Sequence, residues 1–149
     1  MTVEVSTAAV SMSAMNLLAL REHSAKELRT KLLQKYGDEE LVTQVVADLT
    51  ARNLQSDDRF AEQFVIMRMR QGKGPVRIAH ELQERGVASD LIKRTLAEVD
   101  EDWINLAREV RVKRFGQAFP ETSQAKMKQM RFLQYRGFSM EQIRAVVDH

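Results

Sequence analysis

Three groups of residues carry enough chemistry to ask what they could do. The first is the stretch RQGKGPVRIAHELQERG, residues 70–86, where two glycines flank Lys73 ahead of an arginine-bearing segment. A P-loop needs G-x-x-x-x-G-K-[ST] after a strand, with a hydroxyl for magnesium. Here Pro75 follows Gly74, the preceding segment reads as helix, and no third glycine completes G-x-G-x-x-G. Pro75 suits the first turn of a helix and Gly74 the residue before it. The stretch is read as a joint between helices, not a nucleotide site. The second group is the pair Asp57–Asp58, which could suggest a cation or acid–base site. No histidine stands nearby to complete a ligand set, and acidic side chains at a helix start offset its macrodipole, so a capping role is expected. The three histidines, at 23, 80 and 149, form no H-x-x-x-H pair, and the chain has no cysteine. Thiolate metal sites and disulfides are therefore excluded, and no serine stands in a nucleophile-elbow context. No catalytic residue, metal or cofactor is expected: the chain does not read as an enzyme.

The third group is basic. Arg68, Arg70, Lys73 and Arg77 surround the joint. Arg108, Arg111 and Arg114 recur every three positions, which would set them along one slowly turning helix face. Lys126, Lys128, Arg131 and Arg136 continue the bias. The net charge of +2 hides an uneven distribution: residues 1–65 carry −3, residues 66–136 carry +6 and residues 137–149 carry −1. Cations gathered on one concave surface would bind phosphates or a partner's carboxylates. The competing reading is a solvated mixed face, with several of them paired to Glu81, Glu84, Asp90 and Glu109.

Helices must position these side chains. Leu41, Val42, Val45, Val46 and Leu49 fall on one stripe; Leu91, Ile92, Thr95, Leu96 and Val99 repeat it, and Ile143, Val146 and Val147 match its inner positions. The stripes superpose when Tyr36, Gly86 and Gly137 are aligned, a period of about fifty residues. Leu28 and Leu32 then match Ile78 and Leu82; in the third copy Leu133 fits but Gln129 takes the other slot, and Met130 is expected to compensate. Ser24 and Gly74 fall at equivalent helix starts, and S-A-K-E at 24–27 and S-M-E-Q at 139–142 read as capping boxes. No sustained period-two alternation suggests a strand. No run approaches the roughly 20 apolar residues of a bilayer span, and the first 14 residues lack the basic start of a secretory signal.

REHSAKELRTKL, DDRFAEQF, GKGPVRIAHELQERGV, DWINLA and RFLQYRGFSMEQI, taken in order from about residue 15 to 147, resemble the RecX family of recombination regulators. One departure is Tyr36-Gly37, where the early glycine is shifted. The resemblance implies an all-α fold of tandem three-helix repeats in an elongated, curved array. It also implies a regulator that binds RecA and its DNA filament and inhibits strand exchange, ATP hydrolysis and coprotease activity. Implied partners are the RecA filament and, more weakly, single- and double-stranded DNA. No membrane partner is expected, and a monomer in the cytoplasm is. A second reading is a helix-turn-helix-like regulator that binds DNA directly, and a third is a purely protein-binding scaffold. The expected organisation is a disordered tail over 1–13, an N-terminal helix plus repeat 1 over 14–71, repeat 2 over 72–119, and a shortened repeat 3 over 120–149. In that scheme the helix containing Phe60 closes repeat 1, and the one containing Trp103 closes repeat 2.

Overall fold

The computed structural model describes residues 5–99 and 102–148; the expected tail residues 1–4, positions 100–101 and His149 lie outside them. Among the described residues there are nine helices and no strand. They are α1 (Thr7–Leu20), α2 (Ala25–Tyr36), α3 (Glu39–Ala51), α4 (Asp57–Arg70), α5 (Pro75–Glu84), α6 (Ser89–Glu98), α7 (Trp103–Phe115), α8 (Ser123–Arg136) and α9 (Met140–Val147). None is long and apolar enough to cross a membrane.

The starts follow from local chemistry. Ser24 and Ser139 close capping boxes with Glu27 and Gln142, while Ser6, Asp38, Ser56, Asp102 and Thr122 each accept one first-turn N–H. Gly74 and Pro75 open α5 as N-cap and first residue, as their types predict. Residues 7–13 correct the expectation of a disordered tail. Ser6 caps them into α1, and Val10 and Ala14, one turn apart, are fully buried. Leu17 and Leu18 continue the contact with the first core, but a single buried valine within 7–13 is too sparse to show in a pattern search.

The packing also corrects the phase of the repeat. Three separate cores form: Leu28, Val42 and Leu49 anchor the first, Phe60, Ile78 and Leu82 the second, Ala107, Leu133 and Ile143 the third. Helix α4 packs on α5 and α6, not on the preceding pair, and α7 packs on α8 and α9. The units are thus α1–α3, α4–α6 and α7–α9, and the third is complete. A periodic pattern fixes the period but not the neighbour against which each stripe closes.

Gln129 sits at the third unit's counterpart of Leu28 and Ile78, both fully buried. It is itself buried, with no hydrogen-bond partner for its Oε1. A buried unsatisfied amide oxygen costs about 1–3 kcal/mol, so Gln129→Leu is expected to stabilise the chain by about 1–2 kcal/mol. A rise in the urea midpoint at constant m-value would show it; an unchanged midpoint would mean that the amide is satisfied in solution.

The units meet at two joints of the same design. At the first, the N-terminus of α2 abuts the C-terminus of α5: Ser24 Oγ donates to the Arg85 carbonyl at 2.7 Å, and Lys26 Nζ to that of Glu84 at 3.0 Å. At the second, the N-terminus of α5 abuts the C-terminus of α8. There the Gly74 N–H donates to the Arg136 carbonyl at 2.8 Å, and that of Val76 to Gly137 at 2.9 Å. Each contact places the positive end of one helix dipole on the negative end of the next, so α8, α5 and α2 follow one another head to tail. The glycines at these ends make room. A Cβ on Gly86 would come within 2.7 Å of the Lys26 side chain, and one on Gly137 would overlap Arg77.

Buried polar groups hold the first joint. Asp57 Oδ1 accepts the Ala25 N–H at 2.9 Å and Gln55 Nε2 at 3.0 Å, and Gln55 Nε2 also donates to the His23 carbonyl at 3.2 Å. Burial holds the His23 imidazole below its ordinary pKa. Its neutral ring donates from Nδ1 to the Arg21 carbonyl at 3.0 Å and accepts Lys31 Nζ on Nε2 at 2.9 Å. Asp57 therefore links two units as well as opening a helix, and Asp58 pairs with Arg94 at 2.8 Å. No cluster of metal-ligating side chains occurs among the described residues.

Candidate functional site

Each joint opens a concavity on one side. The larger, about 690 Å³, lies between the second and third units. Its walls come from the end of α4, from α7 and from α8, and bring Arg70, Lys113, Arg114 and Arg136 together against one carboxylate, Glu109. Leu106, Val110 and Phe132 form an apolar floor. Phe132 also orients two of the cations: the guanidinium carbons of Arg114 and Arg136 lie 5.7 and 5.4 Å from its ring centroid. Arg136 is further fixed by donating to the Gln71 carbonyl at 3.1 Å.

Nearby charges add to the positive potential. Burial and the cations of Arg77, Arg136 and Arg68 lower the pKa of Lys73 from its ordinary value. Among the described residues no ion pair compensates Arg70, Lys113 or Arg114. Such a groove suits a run of phosphates or a cluster of carboxylates.

The smaller concavity, about 330 Å³, lies between the first and second units, lined by Arg21, Glu27, Phe64, Met67 and Arg85 among others. Its cations are compensated. Arg21 pairs with Glu27 at 3.2 Å, Arg85 approaches Glu27 at 3.7 Å, and Arg68 pairs with Glu81 at 2.8 Å. The Glu27 carboxyl feels burial, which raises its pKa, but hydrogen bonds from Arg21 and Ser24 together with the Arg21 charge hold it below its ordinary value. A shallow depression along α4 connects the two grooves, sharing Gln63 and Met67 with the smaller and Arg70 and Gln71 with the larger.

The eleven cations singled out in the sequence divide accordingly. Arg70, Arg114 and Arg136 line the larger groove. Arg68 and Arg77 both hold Glu81 within the second unit, and Arg77 also donates to the Tyr135 carbonyl at 3.3 Å across the second joint. Lys73 is half-buried beside them. Arg108 is exposed and bonds Asn105 at 3.3 Å. Lys126 pairs with Asp148, and Lys128 and Arg131 are exposed on α8 outside the groove.

Arg111 corrects the expectation of one basic face running through 108, 111 and 114. It is 2% exposed, and its guanidinium donates to the Ala118 and Gln117 carbonyls at 3.3 and 3.4 Å, pinning the loop before α8. Three-residue steps rotate about 60° backward around a helix, enough to carry the middle arginine inward. Counted from the N-caps Ser56 and Asp102, Arg111 is the counterpart of Val65, a core residue. Lys113 lines the groove as well; its signal lies in the same register, where it is the counterpart of the exposed Met67.

The architecture and the groove define a class: an array of three-helix domains that presents cations at a joint between domains. Models of the first, second and third three-helix domains of RecX match residues 12–49, 56–96 and 100–147 in turn. The chain belongs to the RecX family of regulatory proteins. The regulatory protein RecX of Halorhodospira halophila is 44% identical over 137 residues, 92% of this chain and 85% of that one. The Pseudomonas fluorescens protein of the same name is 42% identical over 135 residues, 91% and 87% of the two chains. The crystal structure of RecX from Lactobacillus salivarius superposes with a TM-score of 0.80 over 95% of this chain and 94% of that one; at 20% identity it speaks to the fold alone.

Proposed function

We propose that this protein binds RecA and its DNA filament and restrains the recombinase, ATPase and coprotease activities, as a modulator of recombination and DNA repair in the cytoplasm. The groove between the second and third units is the surface that meets the filament's phosphate backbone. The observation that carries this reading is the convergence of Arg70, Lys113, Arg114 and Arg136 against the single carboxylate of Glu109. All of these side chains come from one chain, so a monomer is sufficient. Occupying the filament groove would exclude both incoming duplex and a coprotease substrate, with no chemistry asked of the bound protein.

Direct duplex reading is less well supported. A helix that reads bases concentrates Arg, Asn and Gln on one exposed face, whereas these cations are split among α4, α7 and α8. The test is DNA-dependent ATP hydrolysis by RecA on single-stranded DNA, titrated with this protein. Hydrolysis is expected to fall; a fall far below stoichiometry indicates capping of filament ends, and a fall near stoichiometry indicates groove occupancy. No effect at any ratio, with RecA from the same source, would falsify the proposal.

A further inference from the structure

The two grooves are copies of one site. With Ser56 and Asp102 in register, Phe64 corresponds to Val110, Met67 to Lys113 and Arg68 to Arg114; with Gly86 and Gly137 in register, Glu81 corresponds to Phe132 and Arg85 to Arg136. With Ser24 and Gly74 in register, Glu27 corresponds to Arg77. The repeat has thus placed the same helices around both concavities and kept an arginine at two matching points of each. Four exchanges change their chemistry, and one of them, Gln63 against Glu109, gives the larger groove a carboxylate where the smaller has an amide. Glu81, replaced by Phe132 in the other copy, neutralises Arg68. Glu27, replaced by Arg77, neutralises Arg21 and approaches Arg85. Met67, 45% exposed, stands where the other groove has a lysine.

These exchanges determine what each copy can bind. The smaller groove has little uncompensated charge to offer a phosphate, and its carboxylates would repel one. It also lacks a platform for a base. Phe60 and Phe64 are 3% and 5% exposed, and the guanidinium carbons of Arg68 and Arg85 already lie 5.1 and 4.7 Å from the Phe64 ring centroid. Stacking a base requires an accessible aromatic face. What the groove offers is an apolar hollow walled by a pliant thioether and rimmed by paired charges. That suits a large apolar side chain surrounded by polar groups, the usual anchor of a protein surface. The rim charges, tied into ion pairs, exclude water around such an anchor without demanding a counter-charge. Ile66, 44% exposed, extends the apolar surface from Met67 into the connecting depression.

We infer that the groove between the first and second units is a protein-docking pocket that receives an apolar side chain from the surface of the recombinase. The inference rests on the proposed function: the duplicated site divides the filament's two components, with nucleic acid at the second joint and protein at the first. Phe64 and Arg70 are six residues apart on α4, roughly 9 Å along the axis, so one filament surface can reach both grooves.

The exchange at position 67 is the test. Met67→Lys gives the smaller groove the side chain of the larger one, at an exposed helix position that leaves the core intact; Met67→Leu keeps the site apolar. Affinity is measured for the RecA filament and, separately, for single-stranded DNA alone. Met67→Lys is expected to weaken filament binding at least ten-fold while binding to DNA alone falls by no more than two-fold, and Met67→Leu is expected to bind the filament within two-fold of the native chain. Filament binding within two-fold of native for Met67→Lys would overturn the pocket alone. So would stronger binding to both targets, since the groove would then take nucleic acid. So would loss of filament binding in both variants, which would point to a positional effect of residue 67 rather than an apolar pocket. A native chain that fails to bind the filament at all would instead remove the proposed function, and this site with it.

Discussion

Gly74→Ala is expected to destabilise the chain by about 2–4 kcal/mol and to uncouple the third unit from the rest. Gly74 has an ordinary extended backbone, φ −86°, so the effect is steric and not conformational. A Cβ there would overlap the carbonyl of Gly137 and come within 2.5 Å of the Phe138 nitrogen. Both neighbours are backbone and cannot rotate aside. The joint must open, losing the hydrogen bonds from Gly74 and Val76 to the end of α8 and splaying the groove whose walls lie on either side. Urea unfolding followed by tryptophan fluorescence should show the loss, because Trp103, the chain's single tryptophan, begins α7. Gly37→Ala is the control. Gly37 also ends a second helix, with φ +72°, but nothing lies within 4 Å of an added Cβ. It should cost only about 1 kcal/mol of backbone strain. Equal effects from the two substitutions would refute a packed second joint.

Reversing three charges in the larger groove, Arg70→Glu, Lys113→Glu and Arg114→Glu together, is expected to lower affinity for single-stranded DNA and for the filament by on the order of 10²-fold at low salt. All three residues are exposed, and none forms an ion pair among the described residues, so folding stability should change little. Arg136 is left in place because its bond to the Gln71 carbonyl belongs to the joint. The slope of log affinity against log salt should also become shallower by about 2, since each phosphate contact on a single strand contributes about 0.7. Repeating the reversal at Arg108, Lys128 and Arg131, which are exposed but outside the groove, separates a located site from general charge. If both triples weaken binding equally, the groove is not the site.

The sequence by itself determined the helices, their capped starts, the fifty-residue period and the absence of a P-loop at Gly72–Pro75. These are local properties: a serine three residues before a glutamate, a proline after a glycine, or an apolar residue each turn acts within a few residues of itself. Family membership was legible for a related reason, since ordered motifs preserve the chain's spacing. Only the tertiary structure decided which helices share a core, because a stripe's spacing is the same whichever neighbour covers it. It likewise decided the fate of the cations. Arg68 and Arg77 share the carboxylate of Glu81, Arg111 turned into the core, and Lys113, unremarkable in its own stretch, joined Arg70 and Arg136 from other helices. Charge is read one residue at a time along a chain, but compensation depends on distance in space. Two copies of one joint could therefore diverge through a few side chains, with Glu27 and Glu81 paired to the arginines of one and only Glu109 beside the cations of the other.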